Sequence, residues 1–180
     1  MTTWQTVRDE LLAATPVAPL ELVNVPETGV YAWWDLEGAL AAHYPDDFPA
    51  VRPKRPLYIG LAERQSLASR GLKMHLKRTR VSGLRRSLSA LLRDELDLAA
   101  GVQPARGGMF GLAKDLEPRL TEWMLAHLLV TWVAHDAPGE VEREIISDEL
   151  PPLNYDHATH GPYAARMRVL RADLRAAGFL

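Results

Sequence analysis

The chain has 180 residues, 47% of them hydrophobic and 24% charged, with a formal net charge of −2. That is the length of one domain and the balance of a chain that buries a core, which excludes a disordered or low-complexity protein. Cysteine is absent, so disulfides, Cys-ligated zinc or iron–sulfur sites and thiol nucleophiles are excluded together. The first sixteen residues, MTTWQTVRDELLAATP, carry acids and lack the apolar run of a signal peptide. The most apolar window, 123–134, falls short of the roughly 20 residues that span a bilayer. These features predict a soluble, cytoplasmic protein with no membrane partner.

In chain order, Trp4, Val7, Leu11 and Leu12 recur at helical spacing over residues 3–14, and Pro16 ends the run. Gly29–Trp34 is β-branched and aromatic and reads as a strand. Residues 35–55, with Pro45, Pro49 and Pro53 and a short helical stretch at 36–43, form an excursion before a second strand at 57–61. A helix is predicted over about 66–79 despite Gly71, then another N-capped by Ser82 with Leu84, Leu88, Leu91 and Leu92 on one side. Residues 99–108 read as a loop and 117–127 as a helix with Pro118 in its first turn. Residues 128–134 read as a third strand or as the end of that helix. A helix over 138–150 begins with Glu140, Glu142 and Glu144, which suits the helix dipole, and stops at Pro151-Pro152. A last helix covers 162–177, with Gly178 beyond it. No repeat or flexible linker interrupts the chain, so 1–180 is predicted to be a single domain.

Charge is distributed unevenly. Arg70, Lys73, Lys77, Arg78, Arg80, Arg85, Arg86 and Arg93 lie in one segment without an acid, leaving thirteen cations against twenty-three acids elsewhere. Such a segment is either a phosphate-binding face or a solvated helix surface. No Gly-rich phosphate loop, HExxH or GxSxG motif occurs.

Gly29-Val30-Tyr31 followed by Tyr58-Ile59-Gly60 resembles the paired signature of the GIY-YIG nuclease superfamily. The basic segment after the second tripeptide, and a helix-borne acid followed by Pro151-Pro152-Leu153-Asn154, extend the resemblance from Gly29 to Asn154. Leu84–Leu88, Trp123-Met124 and His127-Leu128 are similar to a bacterial branch of stand-alone members. Two departures stand out. Twenty-six residues separate Tyr31 from Tyr58, as in some restriction-enzyme members, and Leu61 occupies the place of a common Lys.

The resemblance implies an α+β fold, a small three-stranded antiparallel sheet flanked by helices, and Mg²⁺- or Mn²⁺-dependent hydrolysis of DNA phosphodiester bonds. It implies Glu142 as the metal ligand. Glu144 is the rival, since the two lie about 200° apart on a helix and only one can face the site. A first-turn acid serving only the helix N-terminus is the other reading of Glu142. Tyr31 is implied as the group assisting deprotonation of water, and Arg70, with Arg64 as runner-up, as the group stabilising transition-state charge. Tyr58, His75 and Asn154 complete the implied catalytic set. His75 lies five residues after Arg70 with Gly71 apparently inserted, which leaves its helical facing imperfect. Both tyrosines also suit a strand for structural reasons alone. Lys73, Lys77, Arg78, Arg80, Arg85 and Arg86 are expected to hold the nucleic-acid backbone. The arginines of the last helix either extend that surface or are solvated. Cutting both strands would call for a homodimer or two successive nicks. Two other readings remain, an inactive nucleic-acid-binding module of the same fold and an interaction domain whose basic face meets an acidic protein.

Overall fold

The structure is a computed structural model that describes residues 3–155 and 157–178. Helix α1 (Thr3–Ala13) precedes the first strand, β1 (Gly29–Trp34). Strand β2 (Tyr58–Ala62) follows the excursion, of which only Ala41–His43 forms a short 3₁₀ turn rather than the helix expected over 36–43. The basic segment is a π-helical turn (Ala68–Lys73) running into α2 (Met74–Lys77), then α3 (Gly83–Leu91). The segment expected to be a loop contains a strand, β3 (Val102–Pro104), which pairs with β4 (Phe110–Leu112) as a small separate hairpin. The chain then forms α4 (Glu117–His127), β5 (Leu129–Ala134), α5 (Gly139–Glu149) and α6 (Pro162–Ala177).

The main sheet is antiparallel with strand order β2-β1-β5, so residues 129–134 are the third strand and not the end of a helix. All six residues of β1 are buried, because both faces of the sheet are covered. Val30, Ala32 and Trp34 point to one face and pack with Val7 and Leu11 of α1 and Val141, Ile145 and Ile146 of α5. Tyr31 and Trp33 point to the other and join Leu22, Leu67, Leu72, Leu84 and Leu88 in the larger core. This is the period-two alternation of a strand, with each half given its own helical layer.

Each edge of the sheet is partly covered. On the β5 side, Val17 and Val130 exchange backbone hydrogen bonds of 3.0 and 2.9 Å. On the β2 side, the Leu153 N–H donates to the Leu57 carbonyl at 2.9 Å. The Asn154 amide covers the next position of that edge. Its Oδ1 accepts from the Ile59 N–H at 2.9 Å and its Nδ2 donates to the Ile59 carbonyl at 2.8 Å. A side-chain amide here replaces the missing neighbour strand, which satisfies groups that would otherwise be buried without partners.

Candidate active site

The register of β1 on β2 builds the site. Tyr31 faces Gly60 and Trp33 faces Tyr58, so both tyrosines stand on one face of the sheet. Tyr31 lies directly over Gly60, where an added Cβ would come within 2.5 Å of its hydroxyl. On its other side it meets Gly71, where a Cβ would be 3.2 Å from its ring. The two glycines form a slot for the phenol, which is 1% exposed.

The π-helical turn explains the spacing of Arg70 and His75. The Met74 N–H donates to the Ser69 carbonyl, a bond across five residues that takes up the extra residue. Arg70 and His75 are thereby both brought to Tyr31. The charge of Arg70 favours the Tyr31 phenolate, and His75 Nε2 lies 2.7 Å from the Tyr31 hydroxyl. His75 is fully buried, with the rings of Tyr31, Trp33 and Tyr58 edge-on at centroid distances of 5.4, 5.9 and 5.5 Å. Its Nδ1 is 2.6 Å from the Ser82 hydroxyl. Burial, then the charges of Arg70 and Arg85, push the His75 pKa down to about 3, so the ring is neutral. Burial also raises the Tyr31 pKa well above its ordinary value. The neighbouring Tyr58 and the charge of Glu142 raise it further, while Arg70 opposes them.

Glu142 therefore lies within the electrostatic reach of Tyr31, and it is half-buried on α5, whereas Glu144 is exposed. Arg70 and Arg64 line one cavity of about 250 Å³, together with Leu61, Glu63, Gln65 and Met74. Arg70 is the one whose charge acts on both Tyr31 and His75. Glu63, not anticipated from sequence, reaches from this cavity to the first turn of α5. A Cβ at Gly139 would lie 2.7 Å from its Oε1. Among the described residues no group of three His, Asp or Glu side chains gathers as a metal cage. A single carboxylate is nevertheless a fitting donor for Mg²⁺, which keeps several waters and takes oxygens from substrate phosphate.

One expectation takes a definite form and one is corrected. Asn154, implied in the catalytic set as a residue that positions groups, has both ends of its amide occupied by the Ile59 backbone and is 4% exposed. What it positions directly is the strand that carries Tyr58. Arg85 was expected on the nucleic-acid face, but it is 0% exposed. Its guanidinium meets the Glu117 carboxylate at 2.6 Å, Thr121 Oγ1 at 2.9 Å and the carbonyl of His75 at 3.0 Å. Glu117 also accepts from the Thr79 N–H and hydroxyl, each at 2.8 Å. Arg85 thus braces the backbone of His75 from below. A buried Arg with this many partners is structural, and nothing in a run of cations distinguishes it from its exposed neighbours.

Lys73, Lys77, Arg78 and Arg80 are exposed, and Arg86 is half-buried with its guanidinium donating to the Arg80 carbonyl at 2.7 Å. Lys77, Arg78, Arg80 and Lys114 border a cleft of about 890 Å³, with Glu117, Glu122 and Leu76 among its other walls. The cations from 73 to 80 therefore run from the vicinity of Arg70 to this cleft.

An antiparallel three-stranded sheet with paired tyrosines, a basic helical segment and an acid on a flanking helix is the arrangement that the resemblance to the GIY-YIG nucleases implied. A family model described as the GIY-YIG catalytic domain matches residues 29–173, and the chain belongs to that family. The α+β fold is the one the resemblance implied. Nucleases of this family generally use divalent metals and act on DNA. No curated protein and no solved structure matches the chain. Among the described residues no helix is long and apolar enough to cross a membrane.

Proposed function

We propose that this protein is a divalent-metal-dependent DNA endonuclease. The observation that carries the reading is the convergence of Arg70, His75 and Glu142 on Tyr31, through charge and a direct hydrogen bond, in a slot made by two glycines. In the reaction, a water oxygen forms a bond to phosphorus, the bond from phosphorus to the leaving sugar oxygen breaks, and that oxygen is protonated. Arg70 binds the scissile phosphate and offsets the charge that builds on it. Tyr31 orients the attacking water and takes part in moving its proton. Tyr58, half-buried beside His75, positions phosphate or water by hydrogen bonding. Glu142 would hold Mg²⁺ or Mn²⁺, which would supply charge stabilisation at the phosphate and would offset the Glu142 charge, which adds to burial and Tyr58 in raising the Tyr31 pKa.

Lys73, Lys77, Arg78 and Arg80 are proposed to hold the DNA backbone, with Arg86 as a more restrained contributor. Cutting both strands would call for a homodimer or two successive nicks.

The test is cleavage of supercoiled plasmid with Mg²⁺ or Mn²⁺ at low salt. Activity is expected in the wild type, to be lost with EDTA, to fall at least about 100-fold in Glu142→Gln, and to persist in Glu144→Gln. Loss in Glu144→Gln alone would move the metal ligand to that residue. Binding without cleavage of any DNA would support the inactive nucleic-acid-binding module instead.

A further inference from the structure

Three elements line the cleft of about 890 Å³: the basic segment from Leu76, the β3–β4 hairpin and the start of α4. That volume is in the range of sites that take small organic groups. The hairpin sits tightly on the basic segment, since a Cβ at Gly111 would lie 3.3 Å from the Cβ of Arg80.

The cleft is tied to the catalytic cluster. Leu76 and Lys77 follow His75 directly along α2. Thr121, on the cleft wall, donates its hydroxyl to the Leu76 carbonyl at 2.6 Å. Glu117, on the same wall, meets one nitrogen of Arg85 at 2.6 Å, while another donates to the His75 carbonyl at 3.0 Å. A single guanidinium group therefore separates the cleft wall from the backbone of His75.

Charges of both signs line the cleft, the cations Lys77, Arg78, Arg80 and Lys114 and the acids Glu117 and Glu122. Glu117 is taken up by Arg85 and by the N–H and hydroxyl of Thr79. Four exposed cations then face one exposed carboxylate, Glu122. Between them the walls are apolar, with Leu76, Pro104, Leu112 and Pro118. The side chains of Gln103 and Glu122 make no hydrogen bond among the described residues, so both are available to a ligand.

A duplex does not fill such a space. It presents phosphates, which the cations can hold, but its base faces stay stacked inside, and the leucine and proline walls would be left facing water. An unpaired nucleotide brings a phosphate for the cations, a flat base that packs between apolar side chains, and a polar edge. Glu122 only accepts hydrogen bonds, so it suits the amino group of a base, while Gln103 can both donate and accept. The same carboxylate disfavours an acidic peptide as the occupant.

We propose that this cleft holds an unpaired nucleotide of the DNA, its phosphate on the cations and its base between Leu76, Pro104 and Leu112. Resting on the nuclease reading above, the consequence is a preference for duplexes that carry a single-stranded stretch, which α2 would place beside the catalytic cluster.

The experiment is fluorescence anisotropy of the full chain in EDTA at one fixed salt concentration. Two labelled duplexes are compared, one with a three-nucleotide cytosine tail and one whose tail has the same phosphates but no bases. The cytosine tail is expected to bind about 5-fold tighter or more. Equal affinity would show that only phosphates are held and overturns the proposal. A photoreactive diazirine on a tail base, mapped by peptide mass spectrometry, is expected to label residues 76–80, 103–112 or 114–122. Labelling of other segments alone overturns the proposal as well. Because binding is read without metal, a protein that prefers the cytosine tail yet never cuts DNA counts against the nuclease reading and not against this one. A protein that cuts plasmid but binds both tails equally does the reverse.

Discussion

Three aromatic rings surround the His75 imidazole and two guanidinium charges oppose its protonation, which makes this residue a sensor of acid as well as part of the site. Its pKa is about 3 in the folded chain and about 6.5 when unfolded. As pH falls below 6.5 the unfolded chain takes up the proton first, so stability present above that pH is lost on the way down. The loss amounts to about 1.4 kcal/mol per pH unit and levels off near pH 3. Denaturant titrations from pH 7 to pH 4 should show the gap between wild type and His75→Gln shrinking at that rate. A constant gap would mean that His75 is charged in the folded protein. The family resemblance put forward Tyr31, Tyr58, Arg70, His75 and Glu142 by motif order, and the structure brings His75 into contact with Tyr31 and sets Tyr58, Arg70 and Glu142 within electrostatic reach of it. Sequence alone could not reveal that both ends of the Asn154 amide are bound by Ile59, because those bonds join residues 95 positions apart. Arg85 was equally hidden. Its partner Glu117 lies 32 residues on, and burial of a guanidinium leaves no local mark.

At the scale of elements, the pairing of β1 with β2 determines where the phenol sits. Because Gly60 is opposite Tyr31, the smallest side chain leaves too little room. Gly60→Ala is expected to push the Tyr31 hydroxyl away from His75, cost about 1–3 kcal/mol of stability and abolish plasmid cleavage while the sheet persists. Circular dichroism and thermal melting alongside the cleavage assay separate these effects, and retained activity would mean that the Tyr31 contact with His75 is dispensable. The long elements were readable from apolar period and caps: Gly29–Trp34 and Pro162–Ala177 match their expected bounds, and Ser82 caps α3 as read. The β3–β4 hairpin was not. Three-residue strands show too little alternation to register, and Arg106-Gly107-Gly108 between them look like any polar loop. The π-helical turn had one visible trace, the five-residue interval from Arg70 to His75. Only the Met74 to Ser69 bond gives that interval a geometry.

For the whole molecule, the basic segment divides into a surface part and an interior part. Lys77, Arg78 and Arg80 are exposed along the cleft, while Arg85 is a buried brace. Replacing Lys77, Arg78 and Arg80 together by Gln is expected to weaken DNA binding uniformly across sequences. It should also reduce the salt slope of the binding constant by about 3 if each neutralises one phosphate. Arg85→Gln is expected to leave that slope unchanged and to lower thermal stability instead, by leaving the Glu117 carboxylate without its buried cation. Fluorescence anisotropy at several salt concentrations checks both, and an unchanged slope in the triple variant would move the DNA face elsewhere.

The clasp between Asn154 and Ile59 also bears on how the molecule comes to exist. The strand that carries Tyr58 acquires its outer hydrogen-bond partner only from a segment 95 positions further along the chain. Its inner neighbour, β1, is in turn completed by β5. Such long-range closures are slow compared with helix formation, because a large loop must be ordered before any contact rewards it. During synthesis the paired tyrosines therefore emerge well before the sheet that aligns them can close. A growing chain would carry the signature residues yet lack the assembled slot until the segment through Asn154 had been made.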